Sequence, residues 1–134
     1  MTKMTEKTKY EVEVPLNVSP HLLYQYISTP SGLSEWYADN VNFINEVYVF
    51  VWEDEDPQKA KIITQKPFER IRFEWLDDNE VETGFYFEFR IIEDEITNDV
   101  SLMITDFAAK NEIDDARQLW ESQITDLKHI LGSV

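Results

Sequence analysis

The chain of 134 residues carries 27 acidic side chains against 12 basic ones, a formal charge of -15, and no cysteine. The length suits one domain with a sizeable core. The charge opposes long-range attraction to nucleic-acid phosphates or an anionic membrane, and the missing thiols exclude disulfides, cysteine nucleophiles and cysteine metal centres.

Met1 to Lys9 is polar, lacks the apolar core of a secretory signal and reads as a frayed lead-in to a single domain over residues 10–132. No later window has the continuous apolar length of a membrane span, so the expected location is cytoplasmic. Order begins where Tyr10, Val12, Val14 and Leu16 alternate with Glu11, Glu13 and Pro15, the pattern of a strand with one buried face. Ser19-Pro20 reads as a helix cap followed by proline at the first helical position, and Leu22, Leu23, Tyr26 and Ile27 give that helix an inner side. Thr29-Pro30-Ser31-Gly32 opens a second short helix, Leu33 to Tyr37, with Trp36 as its anchor.

From Val41 the period changes to two. Val41 to Ile44 and Val47 to Trp52 flank an Asn45-Glu46 turn, and the second strand is apolar on both faces, so one face needs a cover, a ligand or a partner. Ala60 to Gln65, Ile71 to Trp75, Gly84 to Ile92 and Val100 to Phe107 follow, with separators short enough for antiparallel hairpins. Ile71, Phe73 and Trp75 share a face, as do Phe85, Phe87 and Phe89. A like-face register pairs Phe73 with Phe87 and Arg72 with Glu88, and a shift of two residues would instead pair Phe73 with Phe85 and Arg70 with Glu88.

The last stretch, Ile113 to Leu131, has a helical stripe of Ile113, Ala116, Trp120, Ile124, Leu127 and Leu131, widened by Leu119 and Ile130. Asn111 is placed to cap it, Glu112, Asp114 and Asp115 suit its positive end, Lys128 and His129 its negative end, and Gly132 its stop. The expected fold is α+β, a seven-stranded antiparallel sheet with a long C-terminal helix lying across its concave face and two short helices after the first strand.

Chemistry is sparse. His21 and His129 have no spaced partner, and Ser19, Thr29 and Ser31 are better explained as helix caps than as nucleophiles. The three glycines form no phosphate-binding or dinucleotide loop. No catalytic residue, metal site or cofactor is expected. Asp106 alternates onto the face of Leu102 and Ile104, where it could orient a polar ligand group. In a meander, Glu53, Asp54, Glu55 and Asp56, then Asp77, Asp78 and Glu80, then Glu112, Asp114 and Asp115 should emerge at one end as an acidic rim. Such a rim is solvated by default but suits a basic protein partner. The ordered ligand spacing of a calcium loop is missing.

This order of elements resembles the START-like helix-grip superfamily, and more closely proteins similar to the activator of Hsp90 ATPase, also grouped with polyketide-cyclase-like proteins. Val18-Ser19-Pro20 through Trp36 resembles the family's opening helix pair, and Lys66-Pro67-Phe68-Glu69 through Trp75 its central hairpin and strand. Leu102 to Phe107 resembles its last strand, and Trp120 with Leu127 its terminal helix. The chain has Asn45-Glu46 where the family commonly has a glycine-rich turn. The resemblance implies a curved seven-stranded antiparallel sheet wrapped around the long C-terminal helix, with an apolar pocket between them. Residues matching its cavity-facing pattern are Phe73, Trp75, Phe85, Phe87, Leu102, Ile104, Trp120 and Ile124, with Trp36 and Phe43 at an entrance and Asp106 as a polar candidate. Two functions follow as expectations: non-enzymatic binding of a hydrophobic or amphipathic small molecule, or a protein-interaction module using the acidic rim. A cyclase-like enzyme is a weaker third.

Overall fold

The computed structural model describes residues 6–132. Its elements are β1 (Thr8–Pro15), α1 (Pro20–Ser28), α2 (Pro30–Trp36), β2 (Asn40–Ile44), β3 (Val47–Val51), β4 (Gln58–Lys66), β5 (Arg70–Leu76), β6 (Glu82–Glu93), β7 (Val100–Ala108) and α3 (Ile113–Leu131). All neighbouring strands are antiparallel, in one sheet ordered β1-β7-β6-β5-β4-β3-β2. The α+β helix-grip architecture expected from the sequence is therefore present. Strand β1 starts at Thr8, so Thr8 and Lys9 belong to the sheet and not to a lead-in; residues 1–5 of that segment lie outside the described residues.

Local chemistry accounts for the element boundaries. Ser19 Oγ accepts from the Leu22 N–H at 3.1 Å, and Pro20 begins α1 where its missing N–H costs nothing. Thr29 does the same for α2 by accepting from Gly32 N–H at 2.9 Å. The Asn45-Glu46 turn needs no glycine: φ is 51° at Asn45 and 68° at Glu46, and two successive left-handed residues match the twist of the hairpin they close. At the far end, Gly132 takes φ 70° and donates to the Lys128 and His129 carbonyls, ending α3. Asn111 is not the cap of α3. It lies in a 3-10 turn, Lys110–Glu112, and Glu112 precedes the helix without a side-chain cap bond.

The register of β5 and β6 sets the core. Phe73 pairs with Phe87, their rings 4.9 Å apart and stacked, while on the outer face Arg72 is ion-paired with Glu88 and lies 4.0 Å over the Tyr86 ring. The two-residue shift is thereby excluded. In β3, Tyr48 and Phe50 face the core and Trp52 follows them, leaving Val47, Val49 and Val51 partly exposed on the other side. Helix α3 buries Trp120, Ile124 and Leu127. Its stripe is narrower than expected, because Leu119 and Ile130 remain 61% and 40% exposed. Each follows or precedes an inward residue by about 100° of helical rotation, enough to carry it off the contact line.

The α1–α2 corner fixes where α2 ends. A Cβ on Gly32 would lie 2.2 Å from the Gln25 carbonyl oxygen and 2.7 Å from Tyr26 Cα, both backbone atoms. Glycine is needed for this close approach, so Gly32→Ala should lower unfolding stability by about 1–3 kcal/mol, as overpacking does. Urea unfolding checks this. A loss under about 0.5 kcal/mol, the range of substitutions that touch nothing, would contradict the corner's geometry.

Candidate functional site

Antiparallel order brings the start of β1, the ends of β3, β5 and β7, and the turns that follow them to one edge of the sheet. Helix α2 delivers Tyr37 to this edge, and α3 delivers Trp120. The Tyr37 ring stacks on Trp120 at 5.5 Å and 11°, and on Phe87 at 5.4 Å and 29°, so it is held between helix and sheet. Two side chains fix its backbone: Trp52 Nε1 and Gln123 Nε2 donate to the Tyr37 carbonyl at 2.9 and 3.1 Å.

Behind Tyr37 lies a polar cluster. Asp106 points to the side of Leu102 and Ile104, as strand alternation requires. Its Oδ2 accepts from Tyr10 Oη at 3.2 Å and from Trp120 Nε1 at 3.1 Å, and its Oδ1 accepts from the Phe107 N–H at 2.8 Å. Trp120 Nε1 also lies 3.1 Å from Tyr10 Oη. Burial raises the Asp106 pKa, against the lowering effect of these hydrogen bonds and of the Lys7 charge. Burial, reinforced by the Asp106 charge, pushes the Tyr10 and Tyr37 phenols up as well, so both are protonated at neutral pH.

These groups open into a cleft of about 330 Å³ lined by Tyr10, Tyr37, Trp52, Glu55, Asp106, Ala116, Leu119, Trp120 and Gln123. Tyr37 is only 6% exposed, and its hydroxyl makes no hydrogen bond among the described residues. Among the described residues no fully buried side-chain nitrogen or oxygen lacks a partner, so this hydroxyl keeps some solvent access, and Tyr37 lines the cleft. A second, wider cleft of about 710 Å³ adjoins it, lined by Lys7, Trp52, Glu55, Gln58, Trp75, Leu76, Asp77, Asp78, Thr83 and Phe85. Trp52 and Glu55 are common to both.

The sequence candidates divide among these places. Asp106 and Trp120 line the first cleft; Trp75 and Phe85 line the second. Phe73, Phe87, Leu102, Ile104 and Ile124 are fully buried in the core, and Trp36 is buried against Phe89 and Trp120. Phe43 is 49% exposed on β2, packed against Tyr48. Tyr37, Trp52 and Gln123 were not among the expected site residues. For Tyr37 the one available signal was its place beside Trp36 at the end of a helix.

The turns that carry the acidic residues follow β3, β5 and β7, at the end of the sheet that bears the clefts. Part of their charge is used internally: Asp77 Oδ1 accepts from the Asn79 and Val81 N–H groups at 2.9 Å, and Glu80 is ion-paired with Lys59 at 3.0 Å. Glu55, Asp77 and Asp78 line clefts, whereas Glu53, Asp54, Asp56, Glu112, Asp114 and Asp115 are exposed outside them. Among the described residues no three histidine, aspartate or glutamate side chains converge to hold a metal ion, and no helix is long and apolar enough to cross a membrane.

The raised Asp106 pKa gives a pH prediction. The folded state binds this proton more tightly than the unfolded state does. Stability from Asp106 therefore falls as pH rises from the ordinary carboxylate value through the raised one. Asp106→Asn removes the titration and keeps an oxygen for Tyr10 and Trp120. In urea unfolding from about pH 3 to about pH 8, a span that brackets ordinary carboxylate titration, wild type should lose stability relative to the variant as pH rises. A constant difference would contradict the burial of this carboxyl.

A START-like superfamily domain model matches residues 4–133. The solution NMR structure of BfR322 from Bacteroides fragilis is 37% identical over 93% of this chain and 91% of that one, with a TM-score of 0.63. The Aha1 dimer structure from Colwellia psychrerythraea is 15% identical, covers 92% and 96% of the two chains and has a TM-score of 0.75. CalU16 from Micromonospora echinospora is 13% identical, over 91% and 73%, with a TM-score of 0.65. The last two share the fold. Comparison with curated proteins found no match. With all but a few terminal residues matched by the family model, and with the sheet closed on a terminal helix as described, this chain belongs to the START-like superfamily.

Proposed function

We propose that the protein binds a small hydrophobic or amphipathic molecule, without turning it over, in the cleft where the open end of the sheet meets α3. The observation that carries this reading is the Tyr37 hydroxyl, set in an almost fully buried residue, without a partner among the described residues and beside a space also lined by Trp52, Trp120 and Leu119. An apolar enclosure with a few convergent polar groups is the usual form of a ligand site, and about 330 Å³ lies at the small end of the range. The exposed Leu119 gains a reason on this reading, since a bound apolar group would cover it.

Binding is favoured over acid–base turnover because the ionisable groups of the cleft are poorly placed for proton transfer. Three donors engage Asp106, and burial holds Tyr10 and Tyr37 in their protonated forms. The acidic rim contributes a negative field at the mouth of the cleft, which supports an interaction role only in second place.

Ala116 lines the cleft from the partly exposed side of α3. Ala116→Trp should fill the space, abolish binding of whichever members of a lipid and aromatic-metabolite panel the wild type takes up, and leave thermal unfolding nearly unchanged. Calorimetric titration of both proteins tests this. Failure of folded wild type to bind any panel member, or equal binding by the filled variant, would overturn the reading.

A further inference from the structure

The polar inventory of the cleft is unbalanced. Trp52 Nε1 is committed to the Tyr37 carbonyl, Trp120 Nε1 to Asp106 and Tyr10, and Tyr10 Oη to Asp106. The Gln123 amide nitrogen is engaged with the Tyr37 carbonyl at 3.1 Å, while its side-chain oxygen accepts no bond among the described residues. Glu55, an exposed residue, also lines this space, and its carboxylate has no hydrogen bond or ion pair among the described residues. Apart from the Tyr37 hydroxyl, which can donate or accept, and the second Gln123 amide hydrogen, the protein side offers acceptors. Among the described residues no lysine or arginine lines the cleft. Of the nearby cations, Arg117 donates to the Glu11 carbonyl with its guanidinium 5.5 Å from the Tyr10 ring centroid, and Lys7 lies 5.0 Å from the Phe85 ring centroid in the neighbouring cleft.

We propose that this cleft selects a small amine, protonated at neutral pH, whose ammonium donates to Glu55, Gln123 Oε1 and Tyr37 Oη while its apolar body lies against Trp52, Leu119 and Trp120. This deepens the binding reading above and rests on it. A desolvated ammonium satisfies several acceptors at once and is attracted to the faces of tyrosine and tryptophan rings. A carboxylate in the same place would meet Glu55 and Asp106 with too few donors, and the chain's charge of -15 disfavours its approach. A neutral alcohol would bind, but with one donor in place of three.

The test uses three probes of matched size, 2-phenylethylamine, 2-phenylethanol and 3-phenylpropionate, titrated near neutral pH into the folded protein. The indole N–H signals of Trp52 and Trp120 are followed by NMR. The amine should shift both and bind at least about tenfold more tightly than the carboxylate, a difference of about 1.4 kcal/mol. Glu55→Gln should weaken the amine several-fold and leave the alcohol unchanged; Tyr37→Phe should weaken both. Equal or tighter binding of the carboxylate, or no effect of Glu55→Gln on the amine, overturns the amine assignment while leaving small-molecule binding intact. If none of the three moves either indole signal, the amine assignment fails, and the response of the same signals to the wider panel shows whether the cleft fails with it.

Discussion

Everything at the open end of this fold depends on one junction, the face-to-face contact of Tyr37 with Trp120 over the Asp106 carboxyl. It joins three elements far apart in the chain: the end of α2, the middle of α3 and the end of β7. Stacking alone would allow the helix to slide along the sheet. The indole N–H fixes its position, because it must reach Asp106 and Tyr10 or be left buried without a partner. The carboxyl is in turn held by the Phe107 N–H of its own strand. Directional bonds at a buried site specify position more sharply than apolar contact does.

Between sheet and helix, Phe73, Phe87, Leu102, Ile104 and Ile124 keep no solvent-accessible surface. Tyr37 occupies the position from which a molecule would enter, with Phe87, Phe89 and Phe50 packed around it. The same ring that closes the interior presents its hydroxyl outward, and Trp52, pinned to the Tyr37 backbone, forms a wall between two clefts. Both clefts lie at the mouth, where the acidic turns are also collected by the antiparallel order of the strands.

Much of the fold was legible because strand parity and helical spacing report directions. Phe73 against Phe87 and Arg72 against Glu88 follow from parity, since the wrong register would set phenylalanine against arginine. Asp106 beside Ile104 and Trp120 on the buried stripe were legible for the same reason. Direction does not give volume, however, and the pattern that aims Phe73, Phe87 and Ile124 inward is the same whether they line a void or fill it. Tyr37 was hidden for another reason: it follows the last residue of a seven-residue helix, where periodicity stops, and its role arises only when α3 closes on it. Asn111 looked like a cap by residue type, but the chain first makes a 3-10 turn, so that Glu112, one residue later, takes the position before α3.

The packing of the interior between sheet and helix can be tested without knowing a ligand. Xenon enters apolar voids within folded proteins and perturbs the methyl groups that line them. In methyl NMR spectra of the isoleucine- and leucine-labelled protein recorded under xenon pressure, the signals of Leu102, Ile104 and Ile124 should show no saturable shift. Saturable shifts at those three residues would place an empty cavity between sheet and helix and contradict the account.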